Sequence, residues 1–250
     1  MTSTPTTHRV TTAALLLGGV VAANAAFIGL GATFDYPDIL QQPAAHILER
    51  FEQTRSSTMA WFGLLAAGAA LFGPAAVLTA RLGTGRAARW SARAGVAAAA
   101  VQVIGLSRWF LLVPGYAEHA TDPAASPVDR ARAVADFETA HRLLGTVVGE
   151  TLGYTLTALW TVLVLYAIGP TLSSRWLGPW SGLSAALILT GILVPLDLPG
   201  ADLANFVGYL LWSLWLVALS IKLLRQQARA ADALTDHREP APRRVLDMAH

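Results

Sequence analysis

Six stretches of the chain, at positions 13–33, 59–80, 92–113, 143–168, 180–194 and 205–224, are nearly free of charge and apolar on every helical face. Helices of this kind, about twenty residues long at about 1.5 Å of rise per residue, match the thickness of a bilayer core. A water-soluble helix would reserve one face for polar residues, and these reserve none. The fifth stretch is the shortest. Only 14% of the residues are charged and 54% are hydrophobic, which excludes an ordinary soluble domain of 250 residues. The pattern predicts an all-α integral membrane protein. It has a six-transmembrane-helix bundle over 1–225, then a polar tail over 226–250 that Pro240 and Pro242 mark as disordered.

Basic residues orient such a bundle, because short cytoplasmic loops retain Arg and Lys. The connection between spans two and three carries Arg81, Arg86, Arg89 and Arg93, that between spans four and five carries Arg175, and Lys222, Arg225, Arg229, Arg238, Arg243 and Arg244 follow span six. The alternate connections are acidic: Asp35, Asp38, Glu49 and Glu52; then Glu118, Asp122, Asp129, Asp136 and Glu138; then Asp197 and Asp202. Together with Arg9, every connection predicts both termini in the cytoplasm and the acidic loops outside a cytoplasmic (inner) membrane. Arginine far outnumbers lysine, as in a GC-rich bacterial coding sequence. The first span also admits a reading as a cleavable signal peptide, with Ala22, Ala23, Asn24 and Ala25 as the small-residue site. Its apolar pattern, however, runs on through Phe27, Ile28 and Leu30, and the orientation of the other spans is the same under both readings.

Two outside segments have helical signatures. Ala44, Ile47, Leu48 and Phe51 form an apolar stripe from which Glu49, Arg50 and Glu52 are excluded, as in a short amphipathic helix that lies on the membrane or caps the bundle. Ser126, Pro127 and Asp129 have the spacing of a capping box, and Val134, Phe137 and Leu144 continue the period toward span four. Between them, 114–125 reads as a surface loop broken by Pro123. Trp109 and Tyr116 on one side, and Trp90, Trp176 and Trp180 on the other, read as interfacial belts, and Pro74 as a kink in span two. Trp61, Gly63, Leu64 and Pro74 resemble Trp180, Gly182, Leu183 and Pro195 on a span that runs in the opposite direction, as an inverted repeat would require, but the pattern is common enough in such helices to arise by chance.

The chemistry-bearing residues are few. Arg108 and Glu150 are charges inside spans three and four, where a centred Arg costs about 2.5–3.5 kcal/mol and rarely stands idle. Counted from the outer ends of their spans, Arg108 lies roughly 9 Å deep and Glu150 roughly 12 Å. Adjacent antiparallel helices could therefore join them in a bidentate pair. Such a pair either is architectural, fixing the register of two helices, or lines a polar pocket open to the outside and shared with Tyr154, Gln102, Asn24 and Asn205; unpaired, Arg108 would snorkel to the outer surface. His46 with Glu49, Glu138 with His141, and His119 offer only a weak metal-binding pattern, and neither a metal site nor a cofactor is expected. The chain has no cysteine, no phosphate-binding glycine loop, no nucleophile elbow and no mid-membrane histidine pair, and its basic tail lacks the aromatics of a nucleic-acid binder.

Four blocks resemble the signatures of an uncharacterised bacterial family of six-span membrane proteins, catalogued as a domain of unknown function. They are 34–40 with Pro43 and Phe51; Ser107, Arg108 and Trp109 with Val113 and Pro114; Gly149 and Glu150 with Gly153, Tyr154 and Trp160; and Asn205 with Gly208, Tyr209, Trp212 and Trp215. The resemblance implies the same six-span fold and brings no activity with it. The residues favour a non-enzymatic bundle that binds a lipid-like small molecule or a membrane protein partner in its outer half. The alternative is a membrane enzyme or small transporter using Arg108 and Glu150. Carboxylates along a through-path, which proton-coupled transport needs, are missing below Glu150.

Overall fold

A computed structural model describes residues 5–172 and 176–236 of the chain. Its helices are α1 (Pro5–Phe34), α2 (Ala44–Gln53), α3 (Arg55–Ala80), α4 (Gly85–Leu111), α5 (Val113–Thr121), α6 (Pro127–Ala140), a π-helix (His141–Leu152), α7 (Gly153–Leu172), α8 (Leu177–Leu189) and α9 (Ala201–Asp236), with short 3-10 segments at Asp38–Gln41 and Thr190–Leu196. No strand occurs among the described residues. Six helical stretches are long and apolar enough to cross a membrane: His8–Phe34, Arg55–Ala80, Gly85–Thr121, Pro127–Ile168, Leu177–Leu196 and Ala201–Ala231. The third and fourth, at 37 and 42 residues, exceed what a bilayer core requires, so they project beyond it.

The spans form a ring. α1 packs on α3, α3 on α4, α4 on the π-helix and α7, α7 on α8, and α8 on α9, which closes back on α1. Small residues let the backbones approach. A Cβ added at Gly19 would meet the Gly68 carbonyl at 3.2 Å, and one added at Gly95 would lie 2.6 Å from the Trp160 ring. Inside the ring are two aromatic layers. One, at the end capped by α2, α5 and α6, gathers Phe34, Phe51, Phe62, Trp109 and Phe137. The other gathers Trp160 and Trp215 with Phe72 and Trp212.

The amphipathic stripe on α2 faces inward as its spacing requires, with Ile47, Leu48 and Phe51 buried, so α2 caps the bundle. The N-cap expected at Ser126 also forms: Ser126 Oγ accepts from the Asp129 amide at 3.2 Å and, where a capping box would use the Ser126 amide, donates its own hydroxyl to the Asp129 carboxylate at 2.7 Å. Replacing Ser126 with alanine is expected to cost about 1 kcal/mol and to raise amide exchange through the first turn of α6 selectively. Uniform exchange along α6 in both proteins would show that the cap contributes nothing there.

Three expectations are corrected. Residues 114–125 are mostly not a loop, because Pro114 stands in the first turn of α5, where a missing N–H is tolerated; the turn comes only after Thr121. Trp109 is fully buried rather than interfacial, and the Trp180 indole donates to the Leu211 carbonyl at 3.0 Å, whereas Trp90 and Trp176 are exposed. α9 continues to Asp236, so the first part of the expected disordered tail is helical. Arg175 and the tail beyond Asp236, with Arg238, Pro240, Pro242, Arg243 and Arg244, lie outside the described residues.

Candidate functional site

Reading down the helices from the capped end, α7 and the turn before it present Glu150, Tyr154 and Thr157 ahead of Trp160, while α9 presents Asn205 and Tyr209 ahead of Trp212. Steps of three and four residues keep each set on one helical face. On α4, Gln102 and Arg108 precede Trp109. A polar layer thus lies between the two aromatic layers.

The π-helix shapes its wall. Hydrogen bonds to the fifth preceding residue replace the usual fourth, and the Thr151 hydroxyl likewise donates to the Thr146 carbonyl at 2.9 Å. Such segments recur at functional sites. Three glycines fit this wall to α4. A Cβ at Gly105 would stand 2.6 Å from the Gly149 Cα, and one at Gly145 would stand 2.8 Å from Arg108 Nη2. Gly145 is therefore the space over which the guanidinium lies.

Arg108 is 5% exposed. Its Nη1 donates to the Gly105 carbonyl, and its guanidinium carbon sits 5.1 Å from the centre of the Trp109 ring, in cation–π range. Nε has no hydrogen-bond partner among the described residues. The bidentate pair with Glu150 is not formed: among the described residues, none of the ion pairs within 4.0 Å involves either residue. What the guanidinium lies against on the π-helix is Gly145. Tyr36, Glu150 and Tyr154 are nonetheless the electrostatic neighbours of Arg108.

Tyr36 comes from outside the spans. Asp35 adopts a left-handed backbone (φ 55°), which Asp tolerates better than most residues, and its carboxylate meets Arg50 at 3.3 Å. This reversal swings Tyr36 back over the ring, edge-on to Phe62 at 5.4 Å. Burial, reinforced by Glu150 and partly offset by Arg108, pushes its phenol up to about 12. The hydroxyl therefore remains a donor throughout the physiological range.

Of the other expected residues, Tyr154 joins the layer with its ring 5.8 Å from that of Tyr209. Gln102 Nε2 donates to Thr157 Oγ1 at 3.0 Å, and Thr157 in turn bonds Tyr209. Asn205 donates to the Ile188 carbonyl at 2.6 Å and lies with Tyr154 against Gly191, where an added Cβ would come within 2.4 Å of both. Asn24 does not join. Its amide donates to the Val20 carbonyl and to Ser213, tying α1 to α9.

Tyr36, Thr157 and Tyr209 are not site residues in the sequence reading, and His141 enters it only through the weak metal-binding pattern with Glu138. Tyr36 and Tyr209 do stand in the blocks that carry the family resemblance, the one signal that pointed to them. His141 packs 6.2 Å from Trp109 and 5.5 Å from Phe137, with Nδ1 buried and unpartnered among the described residues. It therefore turns away from the exposed Glu138, while His46 is exposed on α2 and His119 bonds the Gly115 carbonyl. No three His, Asp or Glu side chains converge on a metal position among the described residues.

The layer is rich in donors: a guanidinium, three phenols and two amides against one carboxylate. It suits a ligand group that mainly accepts. Searches of curated proteins and of solved structures found no match. The sequence model described as "Domain of unknown function (DUF4386)" matches residues 11–219, a stretch that includes every residue of the polar layer, and the chain belongs to this family.

Proposed function

We propose that the protein is a non-enzymatic binder of a lipid-like small molecule, whose polar group is held in the Arg108 layer. The observation that carries this reading is the state of Arg108: a buried cation, inside a span, which among the described residues has no carboxylate within 4.0 Å and no hydrogen-bond partner at Nε. A buried charge is costly unless paired, and its own protein pairs it poorly. An acceptor-bearing ligand would complete it. Transport fits less well, because Phe72, Trp160, Trp212 and Trp215 fill the ring beneath the layer. The charge asymmetry of the connections supports a cytoplasmic membrane with both termini in the cytoplasm, so that the capped end and its polar layer face outward.

The test is native mass spectrometry of the full-length protein extracted with its surrounding lipid, alongside Arg108→Met and Glu150→Gln. A defined mass bound to the wild type is expected to disappear from Arg108→Met and to weaken in Glu150→Gln. Replacing an unpaired buried charge by an apolar side chain of similar length is expected to preserve the fold. A wild type free of bound mass, or a mass equally retained by a folded Arg108→Met, would overturn the proposal.

A further inference from the structure

The opposite end of the bundle carries a second, separate feature. The turn joining α3 to α4 holds Arg81, Arg86, Arg89 and Arg93, all exposed, and among the described residues no carboxylate lies within 4.0 Å of any of them. The guanidinium of Arg93 lies 5.0 Å from the centre of the exposed Trp90 ring. Between the helix ends is a cavity of about 310 Å³, whose lining includes Arg81 and Arg89 with Val77, Ala80, Ala88 and Ala92.

Its shape is fixed. Gly83 presses on α7 so closely that a Cβ would come within 2.5 Å of the Ala167 carbonyl oxygen, and Gly85 holds a backbone (φ +80°) that strains any other residue. Because α3 and α4 both cross the membrane, this turn lies at a membrane surface whichever way the protein is oriented. An exposed Trp beside it is what an interfacial position favours.

We infer that this cavity is a binding site for an anionic phospholipid. The headgroup phosphate lies between the Arg81 and Arg89 guanidiniums, and the first acyl methylenes lie along Val77, Ala88 and Ala92. Charge complementarity selects the occupant: two cations over an apolar wall, with no carboxylate partner among the described residues, match a phosphate joined to a hydrocarbon chain and repel a cationic amphiphile. Basic recesses between spans that open at a membrane surface take lipids of this class.

The experiment reconstitutes the full chain in bilayer discs of phosphatidylcholine with a minor share of phosphatidylglycerol. Retained lipid is then counted by native mass spectrometry. The wild type is expected to retain phosphatidylglycerol over phosphatidylcholine by about tenfold, a preference lost in the Arg81→Gln, Arg89→Gln double variant. Ala92→Leu, which fills the recess and keeps every charge, is expected to lose it too. Arg225→Gln with Arg229→Gln, removing the same charge from α9, is expected to keep it. Equal loss in both arginine pairs, or full retention in Ala92→Leu, would show diffuse attraction to the surface and overturn the site. Displacement of the lipid by an equal concentration of glycerol phosphate would overturn the lipid and leave a soluble phosphate as the occupant.

Discussion

Replacing Trp109 with alanine is expected to destabilise the bundle by about 3 kcal/mol, the lower end of the range for truncating a buried Trp, since lipid solvates an apolar group better than water does. The size of the effect follows from what the ring touches. It is wholly buried, lies parallel to Phe62 at 4.5 Å and within 6.3 Å of Phe34, Phe51 and Phe137, and offers its face to Arg108. These partners come from α1, α2, α3, α4 and α6, so one cavity loosens the cap and the ring together. The indole N–H has no partner among the described residues, so the loss is one of packing and of the cation–π contact. Trp109→Phe, which keeps a ring and removes that unpaired donor, is expected to cost much less. Exposed Trp90 is the control, and its alanine variant is expected to stay within about 0.5 kcal/mol of the wild type. Unfolding in mixed detergent micelles gives all three values. A Trp109→Ala cost below about 1 kcal/mol would mean that the aromatic layer does not hold the capped end together.

This central Trp also shows where sequence reasoning reaches its limit. A tryptophan near the end of a span has two good homes, the lipid interface and the bundle interior, and its spacing along α4 is compatible with both. Only the presence of α2 and α6 over the ring decides between them. The six spans themselves are plain in the sequence, because the bilayer demands length and uniform apolarity and nothing else in the chain supplies them. The stripe on α2 and the N-cap at Ser126 are equally legible, since each is a local pattern with one physical reading.

The polar layer is legible only in part. Arg108 and Glu150 announce themselves as charges inside spans, and Tyr154 follows Glu150 by one turn on the same face. Their mutual distance does not announce itself. Estimating depth at a constant rise makes the two charges nearly level and so able to pair, whereas the π-helix changes the rise and rotation at the place where that estimate is made. No residue type encodes a π-helix strongly; this one is held by the fit of Gly145 and Gly149 to α4, a tertiary property. Tyr36 was hidden for another reason. It belongs to a connection, and the reversal at Asp35 that returns it to the ring is not a periodic signal.

The glycines around Arg108 permit a prediction that separates folding from function at adjacent positions. At Gly105 an added Cβ meets only backbone, the Gly149 Cα at 2.6 Å and the Leu144 carbonyl at 2.8 Å, so neither neighbour can rotate away. Gly105→Ala is therefore expected to push α4 off the π-helix and to destabilise by about 2–3 kcal/mol, the upper part of the overpacking range. At Gly149 the nearest atoms stand at 3.2 and 3.3 Å, and the gain in helix propensity, about 1 kcal/mol over glycine, opposes a mild clash. Gly149→Ala is expected to be close to neutral. At Gly145 the obstacle is the far end of the Arg108 side chain, with Nη2 at 2.8 Å and Cζ at 3.0 Å, which can swing aside. Gly145→Ala is expected to fold with little loss of stability and yet to lose bound ligand about as fully as Arg108→Met, because the guanidinium no longer occupies its place in the layer. Thermal unfolding and native mass spectrometry on the three variants read the two effects independently. If Gly145→Ala kept its ligand while Gly105→Ala lost only stability, the guanidinium's position would be incidental to binding. Arg108 would then be a structural anchor for α4 rather than the centre of a site.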